Sequence, residues 1–362
     1  MKLLLAGGGT AGHIEPALAV GRGWLKSHPG DEIAFLGTSS GLEISLIPAA
    51  GFPVLEIPKV AIARSLSSSL LKVPFQLVSA VTQTMKHLEG VDCAIGFGGY
   101  VSAPLYFAAF LKRVPLVIHE QNAKPGWANR LGARFTRFTA TSYPVHVGAL
   151  RKAELTGLPL RSDVVAAIES AKDDWSAARR SAKSSISEKY GFEVKRPLIF
   201  IFGGSQGSQA INKVIAEARP ALESLGYSIL HGVGKNNEVP APSAHYQALS
   251  YINEMAECYL AADLLIARSG AVTCAEANAL SKFSLFIPLP VGNGEQALNA
   301  ESLVAAGRAH VVTQADFTPE WLTMNIADVV QKSSRRSDVA DTSGVNAVDK
   351  ILHIIERALR GR

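Results

Sequence analysis

Two stretches of this chain, far apart in its length, are built alike. LLLAGGGTAGH (3–13) and IFIFGGSQGSQ (199–209) each run from an aliphatic strand into a loop of small residues and on into a helix-prone segment. A strand that feeds a glycine loop and then a helix is the opening of a parallel βαβ unit. One such stretch limits the choice of fold, and two predict a pair of Rossmann-like α/β halves.

Other parts of the sequence agree. KLLLAG, EIAFLG, CAIGFG, PLVIHE, PLIFIFGG, YSILHG, DLLIARS and FSLFIP are short apolar runs without polar alternation, as strands buried on both faces require. Longer segments separate them, leaving room for crossovers. At 362 residues the chain exceeds what one core usually supports. Gly157 and Pro159, in TGLPLRSD, interrupt regular structure. We therefore expect domains at 1–158 and 159–344, followed by a helix at 345–362. Residues 163–190 are polar and helix-prone, a surface helix or a pair of them. The last helix has an apolar stripe at Val345, Val348, Ile351, Leu352 and Ile355, and lying across both domains is one way to bury it.

Composition narrows the function classes. Apolar residues at 48% and charged residues at 19% describe a well-packed protein. The net charge is +5, and the positive excess lies in the first 160 residues, so that half is expected to meet something anionic. Its basic residues are scattered with few aromatics between them, which disfavours nucleic acid and leaves a membrane surface or a charged substrate. Cys93, Cys258 and Cys274 are widely spaced and form no C-x-x-C pair, so reduced thiols in a cytosolic compartment are expected, with neither a disulfide framework nor a zinc site. The first residues already read as a strand, not a signal peptide. VSAPLYFAAFLKRVPLVI (101–118) is broken by Lys112, Arg113 and prolines and should not span a bilayer.

The first loop fits the dinucleotide pattern G-x-G-x-x-G through Gly7, Gly9 and Gly12. The next strand, however, ends in Gly37 and Thr38 and lacks the acid that would hold a ribose. Thr10 and His13 add polar groups that a pyrophosphate loop does not need, so NAD is the lesser reading. The second loop, GGSQGS (203–208), suits phosphate: its amides converge, its serines donate and a helix N-terminus follows. A purely structural turn is the alternative. GVGKNN lacks the upstream glycine and the following hydroxyl of a Walker loop. HEQN (119–122) and RSGAVTCAE (268–276) each follow a strand, at the carboxyl edge where open α/β sheets take ligands, and NGEQALNA (293–300) comes after them. From the helix after RSG, the Glu276 carboxylate can grip two adjacent hydroxyls.

Taken in order, GGGTAGHIEP, GFGGYVSAP, HEQN, GGSQGS, ARSGAVTCAE and GNGEQALNA resemble the MurG family, bacterial N-acetylglucosaminyltransferases that convert lipid I to lipid II. The resemblance runs over nearly the whole chain. It implies the GT-B fold, α/β with two Rossmann-like domains whose parallel sheets face across a deep cleft. It also implies UDP-GlcNAc as donor, held mainly by the second domain, and undecaprenyl-pyrophosphoryl-MurNAc-pentapeptide (lipid I) as acceptor, held by the first. Neither a cofactor nor a metal is expected. The implied chemistry is inverting displacement: the MurNAc 4-hydroxyl attacks C1 of GlcNAc and UDP leaves.

For the proton of the attacking hydroxyl, His13 is the expected general base, with Glu120 as the other candidate and with a purely orienting role for His13, toward the acceptor or the donor phosphate, as the alternative. An ordinary imidazole pKa of about 6.5 suits that task. Thr10, Tyr100 and Asn122 would face the acceptor, and Ala11 and Gly12 would bind substrate. Ser205, Gln206 and their amides would bind the diphosphate, with Arg161 adding charge. Ile252 would offer its backbone to uracil, Glu276 would hold the ribose, Ala271, Val272 and Thr273 would contact the donor, and Gln296 and Asn299 would meet GlcNAc hydroxyls. The chain departs from the family pattern in GLPLR, at Asn253-Glu254 and at Glu295. Such enzymes work peripherally at the cytoplasmic face of the plasma membrane, with cell-wall synthesis proteins as partners. In AIARSLSSSLLKVPFQLV (61–78), Ile62, Leu66, Leu70, Leu71 and Phe75 beside Arg64 and Lys72 suit an anionic membrane surface, an amphipathic core helix being the alternative.

Overall fold

The computed structural model describes residues 1–60, 73–334 and 344–361. Two compact units make up the chain: Met1–Arg161 together with Gly344–Arg362, and Ser162–Ser343. The first unit holds strands β1 (Lys2–Ala6), β2 (Glu32–Gly37), β3 (Val54–Glu56), β4 (Cys93–Gly96), β5 (Leu116–Glu120), β6 (Phe138–Thr141) and β7 (Glu154–Leu155). They pair in parallel in the order β3-β2-β1-β4-β5-β6-β7. The second holds β8 (Leu198–Phe202), β9 (Ser228–Gly232), β10 (Tyr246–Leu249), β11 (Leu264–Ala267), β12 (Ser284–Phe286) and β13 (Ala309–Val311). These are also parallel, in the order β10-β9-β8-β11-β12-β13.

The apolar runs become strands because helices cover both faces of each sheet. Along β1, Leu3 and Leu5 enter one core with Phe35 and Trp24, while Leu4 and Ala6 enter the opposite core with Leu36 and Tyr106. In each unit the strand order reverses beside the first strand. The reversal leaves an opening at the carboxyl edge, between β1 and β4 in one unit and between β8 and β11 in the other. Both glycine loops, GFGGY and RSG emerge at these openings.

Residues after the boundary form two helices, Ser162–Ala171 and Trp175–Tyr190. The second is capped by Asp174, whose carboxylate accepts from Ala177 N–H at 2.8 Å. The last helix, Ala347–Arg360, buries Ile351, Leu352, Ile354 and Ile355 in the first unit's core. It packs on the helix Ala11–Ser27 and on β4, β5 and β6, so its apolar stripe is satisfied within that unit.

Candidate active site

The first loop ends at Thr10, which N-caps the helix Ala11–Ser27 through extended backbone, while its side chain makes no capping bond. His13 lies in the first turn of that helix. Its Nδ1 is 2.9 Å from the Phe97 carbonyl and 3.3 Å from Gln121 Oε1. A carbonyl oxygen can only accept, so Nδ1 carries a proton, and in the neutral ring Nε2 keeps its lone pair. Gly99, at φ +81, lies so close to Gly8 that a Cβ would collide with the Gly8 carbonyl. Only glycine permits this approach, which lays Tyr100 over the first loop.

A residue the sequence did not single out, Glu43, decides the character of this loop. Its buried carboxylate accepts from the Tyr100 hydroxyl, from Thr38 Oγ1 at 3.2 Å and from Gly9 N–H at 3.3 Å. Burial, reinforced by the Glu43 bond, pushes the Tyr100 phenol up to about 12, so it stays a neutral donor. The acid missing from the end of β2 thus arrives a turn later, and it engages a loop amide instead of leaving it for an anion. A dinucleotide pyrophosphate would meet like charge there, which counts against the NAD reading.

His119 and Glu120 end β5. His119 is fully buried, donates Nε2–H to the Gly157 carbonyl at 3.0 Å, and is pulled by desolvation down to about 4. Glu120 Oε1 accepts from Asn122 N–H at 2.9 Å and Asn122 Nδ2 at 3.3 Å. Its Oε2 accepts from Gly126 N–H and Asn129 Nδ2, each at 2.9 Å. Glu120, the other candidate base, is thus held by its own loop. The carboxylate is 1% exposed and saturated by donors, so it shapes the loop 120–126 and the bond to Asn122.

The second loop has the opposite chemistry. Gly207, at φ +77, packs where a Cβ would strike the Val233 carbonyl. Asn237 Nδ2 donates to the carbonyls of Gln206 and Val233, both at 2.9 Å, so GVGKNN braces the loop. Ser208 N-caps the helix Gln209–Ser224, its Oγ accepting from Ile211 N–H at 3.4 Å. The same Oγ accepts from Arg268 Nη2 at 2.8 Å. Arg268 also donates to Gln314 Oε1 at 2.6 Å and to the carbonyls of Ile287 and Pro288 at 3.0 and 3.1 Å. All these partners are neutral, and burial lowers the guanidinium pKa. A buried cation held, among the described residues, by neutral groups, beside converging amides and a helix N-terminus, favours an anion at the loop. Ser205 is partly exposed and Gln206 exposed.

The remaining expected residues divide between exposed and buried positions. Ala271, Val272 and Thr273 form the first turn of the helix Ala271–Ala279, where backbone N–H groups lack intrahelical acceptors. Glu276 is buried on the same helix, and Ile252 is buried against Gly232 at the end of β9. Arg161, partly exposed, ends the main segment of the first unit. Gln296 Oε1 accepts from Leu289 N–H at 3.0 Å and closes the loop between them. Asn299 is fully buried and donates to the Ser269 carbonyl at 3.2 Å, so it helps to place the RSG loop.

The three cysteines are free and buried, and burial raises Cys258 to about 12 and Cys274 further. Among the described residues no group of three His, Cys, Asp or Glu side chains could hold a metal, and no helix is long and apolar enough to cross a membrane. Of the stretch expected to meet a membrane, residues 61–72 lie outside the described residues. Phe75 and Val78 are exposed on the helix Val73–His87, as are Phe110 and Leu111 on the helix Ser102–Lys112, against which it packs.

Residues 3–141 match the glycosyltransferase family 28 N-terminal domain, and residues 198–355 match the C-terminal domain of that family. The UDP-N-acetylglucosamine–N-acetylmuramyl-(pentapeptide) pyrophosphoryl-undecaprenol N-acetylglucosamine transferase of Corynebacterium glutamicum is 40% identical over 345 residues, covering 95% of this chain and 93% of its own. The enzyme of the same name from Streptomyces coelicolor is 38% identical over 373 residues, covering 100% and 99%. Among solved structures, MurG of Acinetobacter baumannii superposes with a TM-score of 0.68 at 27% identity, covering 97% of this chain and 99% of its own.

Proposed function

The chain belongs to glycosyltransferase family 28, in its MurG branch, and from that membership we propose that it transfers GlcNAc from UDP-GlcNAc to lipid I, giving lipid II. The observation that carries the reading at the level of chemistry is the opposite character of the two loops. The first offers an imidazole lone pair at His13 Nε2, and the second offers amides backed by Arg268.

In the proposed step His13 Nε2 takes the proton of the MurNAc 4-hydroxyl as its oxygen attacks C1 of GlcNAc. The bond from C1 to the diphosphate breaks with inversion, and UDP departs. A positioned base of this kind contributes about 10²–10⁴-fold in rate. The charge developing on the diphosphate is met by the amides around Ser205 and Gln206, by the helix N-terminus and by Arg268, with Arg161 adding to the field. Ile252 serves uracil, Glu276 the ribose, the turn Ala271 to Thr273 the donor, and Gln296 the sugar. Thr10, Ala11, Gly12, Tyr100 and Asn122 face the acceptor. The Thr10 side chain, unused as a cap, is available for that role.

The acceptor's lipid stays in the bilayer, so the first unit docks peripherally on an anionic surface at the cytoplasmic face, where cell-wall synthesis proteins are its neighbours. Phe75, Val78, Phe110 and Leu111, with Lys112 and Arg113 alongside, supply the apolar and basic groups for that contact.

The direct test of the function is UDP release from UDP-GlcNAc with and without a lipid I analogue. Release that depends on the analogue and yields the disaccharide supports the proposal. UDP-GlcNAc binding without transfer would replace it with a non-catalytic sensor.

A further inference from the structure

We propose that Gln121 is a positioning residue that, together with the Phe97 carbonyl, holds His13 in the tautomer with its proton on Nδ1 and Nε2 open. Its role in turnover rests on His13 being the base proposed above, whereas its role in setting the tautomer does not.

The direction of every bond follows from one end of the network. The Gly157 carbonyl can only accept, so His119 Nε2 is protonated across the 3.0 Å contact. His119 is fully buried and neutral, which leaves its Nδ1 as an acceptor. Gln121 Nε2 lies 3.4 Å from that Nδ1 and 3.3 Å from the His119 carbonyl, and both positions require the amide NH₂ there. Gln121 Oε1 must then face His13, where it stands 3.3 Å from Nδ1. Turning the amide over would set acceptor against acceptor at His119 and donor against donor at His13. The orientation is therefore fixed by the chemistry of its neighbours.

His13 Nδ1–H then has two acceptors, Gln121 Oε1 and the Phe97 carbonyl at 2.9 Å, which arrive from the ends of two different strands. Two acceptors restrain the plane of the ring as well as its protonation. Gln121 is 1% exposed, so water does not compete for these bonds. The network begins at Gly157, near the end of the unit's main segment at Arg161, so the placement of that segment is passed to the ring through His119 and Gln121.

The test is the ¹⁵N spectrum of the His13 ring in the full-length protein, alongside steady-state kinetics. The expected pattern is a pyrrole-type Nδ1 and a pyridine-type Nε2. In Gln121→Leu the two shifts should move toward each other, and kcat should fall about tenfold, with KM for UDP-GlcNAc kept within about twofold. Gln121→Glu, whose buried carboxyl in its protonated form keeps an oxygen toward His13 and an O–H toward His119 Nδ1, should keep the wild-type tautomer. A protonated Nε2 in the wild type, or a Leu variant with unchanged shifts and unchanged kcat, overturns the proposal. A Leu variant that loses thermal stability while its tautomer stays fixed overturns it too, by reducing Gln121 to packing. Normal turnover in His13→Ala would remove the base, and the ring shifts would still decide the role of Gln121.

Discussion

After β1 the loop Gly7–Thr10 meets a buried carboxylate, Glu43, whereas after β8 the loop Gly203–Ser208 meets a buried guanidinium, Arg268. Both loops are glycine-rich, both open a helix, and both sit where their sheet reverses strand order. Backbone shape is therefore common to the two and does not select the ligand. Selection comes from the sign of the buried charge behind the loop and from what the first helical turn presents, His13 in one unit and Ser208 in the other. A letter-perfect dinucleotide pattern in the first loop is thus compatible with a loop that spends an amide on a carboxylate, while the less regular GGSQGS suits a nucleotide diphosphate.

The largest effect expected from this contrast is in His13→Ala. Turnover should fall about 10²–10⁴-fold while UDP-GlcNAc affinity, measured by calorimetry, stays near wild type. If affinity fell in parallel, the two loops would not be dividing the work.

A second prediction concerns a property the units share. Each buries one neutral histidine, His119 and His231, both pulled by desolvation to about 4. The folded state therefore refuses a proton that the unfolded state accepts below about 6.5. Their stabilising effect is complete above that pH and is lost progressively as pH falls toward 4, by about 3 kcal/mol for each histidine. Urea midpoints between pH 7 and 4 should drop for both units. Replacing His231 by Gln should flatten the pH dependence in the second unit alone.

Smaller in effect is Arg268→Gln, which should weaken UDP binding roughly tenfold and leave uridine binding unchanged, because the positive charge behind the diphosphate loop is the term removed. Equal losses for UDP and uridine would show loop collapse instead. The smallest effect is expected from Glu43→Gln. UDP affinity should stay within about twofold, and kcat should fall by a few-fold as Tyr100 and Gly9 loosen. A gain in UDP affinity would mean that the first loop can be turned into an anion site.

Much of the fold is legible because a doubly covered parallel strand must be apolar throughout, as LLLA, AFLG, LVIH and LIFIF are. The strands that escape, β3, β7, β10 and β13, are sheet edges of two to four residues, paired on one side only, and they need no continuous apolar run. β6 escapes for another reason: its FTAT buries Thr139 and Thr141 among backbone partners, so its composition does not announce a core strand. At the site, loops and caps are local in sequence and were readable. Glu43, Gln121 and the partners of Arg268 were not, because each acts on residues distant in the chain: Glu43 reaches Tyr100 across 57 positions and Arg268 reaches Ser208 across 60. In GLEIS and RSG these side chains look like ordinary helix and turn residues. Glu120 and Asn299 show the converse, since a polar side chain at a ligand edge also builds that edge.

The placement of the diphosphate is the point on which the account turns, and a crystal soaked with UDP-GlcNAc measures it. The expected density has the diphosphate against the amides of Gly203–Ser208, within reach of the Arg268 charge. Diphosphate seated on Gly7–Thr10, beside Glu43, would contradict the assignment of the two loops.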